Sequence, residues 1–340
     1  MNYFVPSPNH ARFLREAMDI SLWDSVRDMF DELEIPLAAP EQAIEAEQDP
    51  THLLDYAAYF DLDACMRPDV ETSETQMAQV IDHFKRRLAG RINLTANPGN
   101  PRIANFAADF YPPEDLDRMS RWWDTEPANR MDMAGVNEVE FERSLGAIRT
   151  AMDYLSKAAP DLHGEIEVLI RDIVLAKPGE SALINYSGAS SFGVWGAITI
   201  NAETQCDWSQ FYRQLVHETG HNLLFALARD EPLVKADPSI RGRSPIRGDP
   251  RPLDGIFHAA YVSAREALAF ESLLQWRENG GELPKDDADI IVDLQELSVI
   301  AFWDCIETLS DPEEGATDLG MAILADCKAY MTKHFALERC

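Results

Sequence analysis

Apolar side chains recur every three to four residues over most of the first 159 positions, a spacing typical of amphipathic α-helices. The pattern predicts helices over 9 to 34, 73 to 91, 114 to 125 and 136 to 158. The acidic stretch 41 to 50 is also predicted to be helical, whereas the proline-containing segment 94 to 114 is predicted to be a loop. The first half of the chain should therefore be mainly helix.

The pattern changes after Pro160, where β-branched residues and glycines become frequent. The segments EIEVLIRDIVLAK and SALINYSGASSFGVWGAITINAE have the composition of strands and turns, and they predict a small sheet. Helical periodicity then returns in a helix capped by Asp207, in a second that Asp254 should cap, and over 287 to 309 and 317 to 336.

These elements predict an α+β fold that is mainly α: a helical bundle with a small sheet next to the helix capped by Asp207. Two regions are expected, a helical N-terminal region at 1–159 and a second region at 160–340, packed as one unit. With 340 residues, of which 46% are hydrophobic, the chain is long enough to bury a large core.

The charge balance narrows the class of partner. The chain has 30 Lys and Arg against 59 Asp and Glu, a formal net charge of −29. Such a surface repels phosphate backbones and anionic lipids, so neither nucleic acid nor a membrane is an expected partner. The five cysteines form no CxxC pair, and the N-terminus has no secretory pattern, so the protein is expected to be cytoplasmic with reduced thiols.

The stretch QLVHETGHNLL contains the HExxH pattern, with His217 and His221 four positions apart and Glu218 between them. On an α-helix this separation places two imidazoles about 40° apart and one turn apart, which suits the binding of one metal ion. Leucines at 224 and 227 exclude the short three-histidine pattern HExxHxxGxxH. A third metal ligand must therefore come from elsewhere in the chain. The region 160–340 is accordingly expected to be a metal-binding catalytic region, with the small sheet next to the metal-binding HExxH helix.

The candidates for that ligand lie on the helix beginning at GIFHAAYVSARE, which is apolar on most sides. His258 and Arg265 are about 20° apart around such a helix, whereas Glu266 is about 80° from His258. If His258 binds the metal, Arg265 lies about 10 Å further along the axis, where it could hold the far carboxylate of a dicarboxylate on the metal. If Glu266 is the ligand, the pattern indicates a zinc hydrolase with Glu218 as general base.

The segment 229 to 254 contains five prolines and no apolar period, so it is predicted to be a long loop. Its second half has four arginines, at 241, 243, 247 and 251. Arginine forms paired hydrogen bonds with carboxylates, so this cluster could bind a substrate or cosubstrate. The alternative is a solvated loop whose arginines pair with nearby acids.

The succession of HETGHN, a proline-rich arginine loop and RPLDGIFHAAYVSAR resembles the HExxH-motif family of peptide-modification proteins, over about residues 160 to 280. The resemblance implies an iron(II)- and 2-oxoglutarate-dependent oxygenase that hydroxylates a side-chain β-carbon in a ribosomally made precursor peptide. It also implies that His217, His221 and His258 bind the metal. A role for Arg265 or Arg251 in binding 2-oxoglutarate is our own inference, and the resemblance gives no role to Glu218.

Two other functions remain open. One is a zinc metallopeptidase in which Glu218 activates water and either Glu266 or His258 is the third ligand. The other is a non-catalytic peptide-binding protein in which the histidines hold a structural zinc in a closed site. Three imidazoles bind Zn(II) more tightly than Fe(II), so the type of ligand alone does not identify the metal.

Overall fold

The computed structural model describes residues 2–36, 54–67, 74–89, 100–125, 129–235, 237, 239, 241–243, 250–309 and 315–335. Over these residues the chain forms ten α-helices, a five-stranded sheet and a separate pair of short strands. The predicted fold class, α+β and mainly α, is confirmed. The placement of the sheet next to the HExxH helix stays a prediction.

The chain divides into two compact units. We call the first the histidine unit; it consists of Met1–Asn9, Arg143–Ile166 and Cys206–Cys340. The second, the sheet unit, consists of His10–Glu142 and Glu167–Gln205. Neither unit coincides with the predicted regions 1–159 and 160–340, because each is assembled from separate segments. Local hydrophobic periodicity carries no information on which distant segments pack together.

The sheet unit contains four helices and the five-stranded sheet. Its helices are α1 (Pro8–Glu32, of which the first two residues belong to the histidine unit), α2 (Asp55–Met66), α3 (Glu74–Ala89) and α4 (Pro113–Trp123). Its strands are β1 (Arg102–Asn105), β2 (Met133–Ala134), β3 (Asp172–Pro178), β4 (Gly188–Ala189) and β5 (Ala197–Asn201). Strand β3 pairs in parallel with β1 and β5, while β2 and β4 add antiparallel edges.

Two sequence predictions in this part of the chain are wrong. The segment 94 to 114 was predicted to be a loop, but it contains β1, where Ile103 is paired with Ile173. The start of the predicted strand segment EIEVL belongs instead to a helix, α6 (Pro160–Leu169). Proline at the first helical position and an acid in the first turn favour a helix there, in spite of the β-branched residues.

Helix α5 (Glu138–Ala158) and α6 have residues in both units. The remaining helices belong to the histidine unit: α7 (Trp208–Leu227), α8 (Leu253–Glu278), α9 (Lys285–Thr308) and α10 (Asp318–His334). Helix α8 contacts α7, α9 and α10 and buries residues on all its sides, as its apolar sequence predicts. It begins at Leu253, so Asp254 lies in its first turn and is not the N-cap.

The segment 229 to 254, which was predicted to be a loop, contains two short strands. Strands β6 (Arg241–Arg243) and β7 (Pro250–Pro252) pair antiparallel, with Gly242 opposite Arg251. Arg247 lies outside the described residues, as does the acidic stretch 41 to 50 that was predicted to be helical. Among the helices of the described residues, none combines the length and apolarity needed to cross a bilayer.

Helix α7 begins at the predicted cap. The Asp207 carboxylate accepts hydrogen bonds from the backbone N–H groups of Ser209 at 3.0 Å and Gln210 at 3.2 Å. The Gln210 side chain in turn accepts from the N–H of Cys206 at 2.8 Å. These bonds satisfy donors that the first turn of a helix leaves without intrahelical partners, and they place the start of the helix that contains the histidines.

We expect Asp207→Ala to lower the free energy of unfolding by about 1 kcal/mol, because two N–H groups lose their acceptor. Urea unfolding followed by circular dichroism measures this change. Asp207→Asn is the matched control and should lose less, since the asparagine oxygen still accepts these bonds. Equal losses in the two variants would mean that charge, and not capping, stabilises this end of α7.

Candidate metal centre

Helix α7 presents His217 and His221 on one face while its other faces are buried. Residues before, between and after them, such as Leu215, Glu218 and Leu224, are buried. The two histidines are partly exposed, and 23% of the His217 side chain is accessible. The motif therefore sits on a rigid helix with its imidazoles at an accessible face, as the sequence predicts.

The structure brings all three predicted metal ligands together. The Nε2 atoms of His217 and His221 are 3.2 Å apart, and Nδ1 of His221 is 2.9 Å from Nδ1 of His258. The rings of His221 and His258 are stacked, with an interplanar angle of 19°. His258, on α8, is thus next to the HExxH motif although 37 residues separate it from His221.

The contacts of the three rings allow one consistent arrangement of protons when all are neutral. Glu266 Oε1 lies 2.7 Å from His217 Nδ1, so this nitrogen carries the proton and donates it to the carboxylate. His217 Nε2 is then an acceptor for His221 Nε2–H, and His221 Nδ1 accepts from His258 Nδ1–H. A lone pair of His217 therefore points towards His221.

Glu266 is a buried carboxylate on α8 with partners on α7 and α9. Besides His217, it accepts a hydrogen bond from the Ser298 hydroxyl at 2.6 Å, and Arg213 Nε lies 3.0 Å from its Oε2 atom. Its side chain is 1% exposed. Burial favours the neutral acid, but the Arg213 charge and the bonds from His217 and Ser298 outweigh it and lower the pKa of Glu266 to about 2.

The pKa values of the three histidines are shifted in different directions by these surroundings. Burial lowers the pKa of His221 well below its usual value, aided by the other two rings, and burial also lowers the pKa of His258. For His217, burial acts in the same direction, but the hydrogen bond and charge of Glu266 outweigh it and raise the pKa. His221 and His258 are therefore neutral near pH 7, which is the form that binds metals.

The fit to a metal ion is good for two ligands. Two nitrogens at about 2.1 Å from one ion lie roughly 3.0 to 3.4 Å apart, which includes the observed Nε2 to Nε2 distance of 3.2 Å. His258 instead contacts the opposite nitrogen of His221. Within the described residues, no group of three His, Cys, Asp or Glu side chains has metal-binding geometry. Coordination by all three histidines therefore requires rotation of the imidazole rings.

Glu218, predicted to be catalytic, is only 2% exposed. Its backbone carbonyl accepts a hydrogen bond from Asn222 Nδ2 at 3.0 Å, a local contact along α7. Its charge also acts to raise the pKa of His217, its neighbour in the chain. The catalytic role of Glu218 stays a prediction.

Arg265, predicted to bind the cosubstrate, is already paired. Its guanidinium donates to the Glu165 carboxylate and to the carbonyl of Phe4, and only 1% of the side chain is exposed. A cosubstrate carboxylate would have to displace Glu165 to bind here. Arg251, the other predicted anchor, is on β7 and is partly exposed. Its role in binding the cosubstrate stays a prediction.

Three residues of the neighbourhood were missed by sequence reasoning: Arg213, Ser298 and Glu165. Arg213 is four positions before His217, and this helical spacing could have indicated its place beside the motif. Ser298 and Glu165 carry no such signal, because they are far along the chain from Glu266 and Arg265, their respective partners. No protein-family model and no curated protein matches this sequence, so its resemblance to the HExxH-motif family stays a prediction.

Proposed function

We propose that the protein is an iron(II)- and 2-oxoglutarate-dependent oxygenase that hydroxylates a side-chain β-carbon of a ribosomally made precursor peptide. The observation that carries this proposal is the contact of three imidazoles, His217, His221 and His258, in one partly exposed cluster. Three neutral ligands leave open positions on an ion, as a chelating 2-oxoacid and dioxygen require. In the reaction, peptide C–H, dioxygen and 2-oxoglutarate yield peptide C–OH, carbon dioxide and succinate.

The proposed function assigns separate roles in metal binding and cosubstrate binding to these residues. His217 would supply its Nε2 lone pair from α7, His221 would bind through Nε2 once that nitrogen has lost its proton, and His258 would supply a nitrogen from α8. When bound, the iron would supply the activation of dioxygen. Arg251, which is partly exposed on β7, is the proposed partner of the distal carboxylate of 2-oxoglutarate. The net charge of −29 would favour a precursor peptide with basic character.

The zinc metallopeptidase is the second candidate, and the HExxH helix with its two Nε2 atoms 3.2 Å apart is compatible with it. One version of this candidate has the Glu266 carboxylate as the third metal ligand, in place of His258. Here both oxygens of Glu266 have other partners, one at His217 and one at Ser298 and Arg213. A ligand role would break these contacts, which favours three imidazoles over two imidazoles and a carboxylate.

Anaerobic addition of Fe(II) and then 2-oxoglutarate tests the proposed function. We expect the visible absorption that a 2-oxoacid chelated to Fe(II) produces, followed by succinate formation when air is admitted. Arg251→Lys should weaken 2-oxoglutarate binding while Fe(II) binding is unchanged, because lysine cannot form the paired hydrogen bonds. Fe(II) binding without this absorption, together with cleavage of peptides by the zinc-loaded protein, would contradict the oxygenase and support the peptidase.

Glu218→Gln separates the two enzyme classes. If Glu218 is the general base of a peptidase, its loss should lower turnover at least about 100-fold. For the oxygenase we expect succinate formation within about 10-fold of the wild-type rate, because no water has to be deprotonated for that reaction. Parallel assays of succinate release and of peptide cleavage measure both outcomes on the same preparations.

A further inference from the structure

We infer that Glu266 is the positioning residue of the metal centre: it fixes the tautomer and the orientation of the His217 ring without binding the metal. This inference rests on the proposed metal site. A histidine ligand binds through one nitrogen, and the partner of its other nitrogen decides which one carries the proton. Glu266 Oε1 is that partner, at 2.7 Å from His217 Nδ1.

The hydrogen bond from Nδ1–H leaves Nε2 of His217 unprotonated. That nitrogen faces His221 Nε2 at 3.2 Å, a distance suited to two ligands of one ion. In its other tautomer His217 would carry a proton on Nε2, and that nitrogen could not bind a metal. Glu266 therefore holds His217 ready for a metal, and its negative charge makes the ring a stronger donor of electron density.

The other oxygen of Glu266 has its own partners, so the carboxylate is fixed in turn. Ser298 of α9 donates to Oε2 at 2.6 Å, and Arg213 of α7 lies 3.0 Å from the same atom. Glu266 and Ser298 are each 1% exposed. A carboxylate buried to this extent needs such partners to remain charged. Three helices, α7, α8 and α9, thus converge on one carboxylate that contacts one candidate ligand.

Glu266→Gln is the variant that tests this role. An amide is neutral, and it can turn its NH₂ group towards His217 Nδ1, which favours the tautomer with a proton on Nε2. We expect Co(II) affinity, measured by competition with a chromophoric chelator, to fall about 10- to 100-fold. Glu271→Gln on the same helix is the matched control, because Glu271 bonds with Gln275 and Gln295, and the histidine beside it, His334 at 4.0 Å, is not a candidate ligand. Its affinity should stay within about 2-fold of wild type.

Two spectroscopic measurements separate positioning from coordination. The d–d absorption of the Co(II)-loaded protein should keep its band positions in Glu266→Gln if Glu266 is not a ligand, and should change if a carboxylate has been lost from the metal. In the metal-free protein, ¹⁵N spectra of the histidine rings should show His217 protonated at Nδ1, assigned by its absence in His217→Asn. That signal should weaken or shift to the other tautomer in Glu266→Gln.

The outcomes distinguish this inference from the proposed function. A wild-type protein that does not bind Co(II) contradicts the metal site itself, and the inference with it. A wild type that binds, with a Glu266→Gln variant that binds equally tightly or has shifted d–d bands, overturns only the inference. Should Glu266→Gln fail to fold, Ser298→Ala removes one bond to the same carboxylate and should weaken Co(II) binding by a smaller factor; unchanged affinity there would also overturn it.

Discussion

Replacing His221 with alanine is expected to lower Fe(II) affinity at least about 100-fold and to abolish succinate formation. His221 is the central ring of the cluster, because it contacts both His217, at 3.2 Å, and His258, at 2.9 Å. Its removal takes away one ligand and also separates the other two. Loss of a residue that only orients a ligand costs about 10- to 100-fold in affinity, so loss of the ligand should cost more.

Anaerobic equilibrium binding of Fe(II), with metal content checked on the isolated protein, measures this effect. His334→Ala is the matched control: this histidine belongs to α10 of the same unit, where its ring stacks on Tyr330. The control should bind Fe(II) within about 2-fold of wild type. If His221→Ala and wild type bind Fe(II) equally well, the metal does not bind at the HExxH helix, and the proposed function fails.

Replacing Arg265 with methionine is expected to lower the free energy of unfolding by about 3 to 5 kcal/mol. The Arg265 guanidinium bonds with Glu165 and with the Phe4 carbonyl, and both charged side chains are at most 3% exposed. Glu165 also accepts from the Ser7 N–H at 2.7 Å, so this pair connects α8 and α6 with the N-terminal segment. Without Arg265, the buried Glu165 carboxyl would lose its ion-pair partner.

Urea unfolding of the metal-free protein measures this loss. The double variant Arg265→Met with Glu165→Gln should recover part of it, since the uncompensated charge is removed. Arg149→Met, at an exposed position on α5, should change stability by no more than about 0.5 kcal/mol. An Arg265→Met variant as stable as wild type that no longer binds 2-oxoglutarate would show that Arg265 is the cosubstrate anchor and that its pairing with Glu165 is not structural.

The helix boundaries show how much of the secondary structure the local sequence predicts. Helices α5, α9 and α10 begin and end within two residues of their predicted limits, and Asp207 caps α7 as predicted. Helical periodicity, capping and proline placement act over one or two turns, so they can be read from a short window. Strand β1 was missed because four residues flanked by loops have no such period, and their partner in β3 is about 70 residues away.

The sequence by itself determined the mainly helical fold class, the helix that holds His217 and His221, and the candidacy of His258, since each follows from local spacing and residue type. Only the tertiary structure decided that Glu266 contacts His217, 49 residues away, and that Arg265 is paired with Glu165, 100 residues away. Spacing on one helix shows which side chains share a face. It cannot show which side chains of other helices they meet, because those contacts depend on how the whole chain packs.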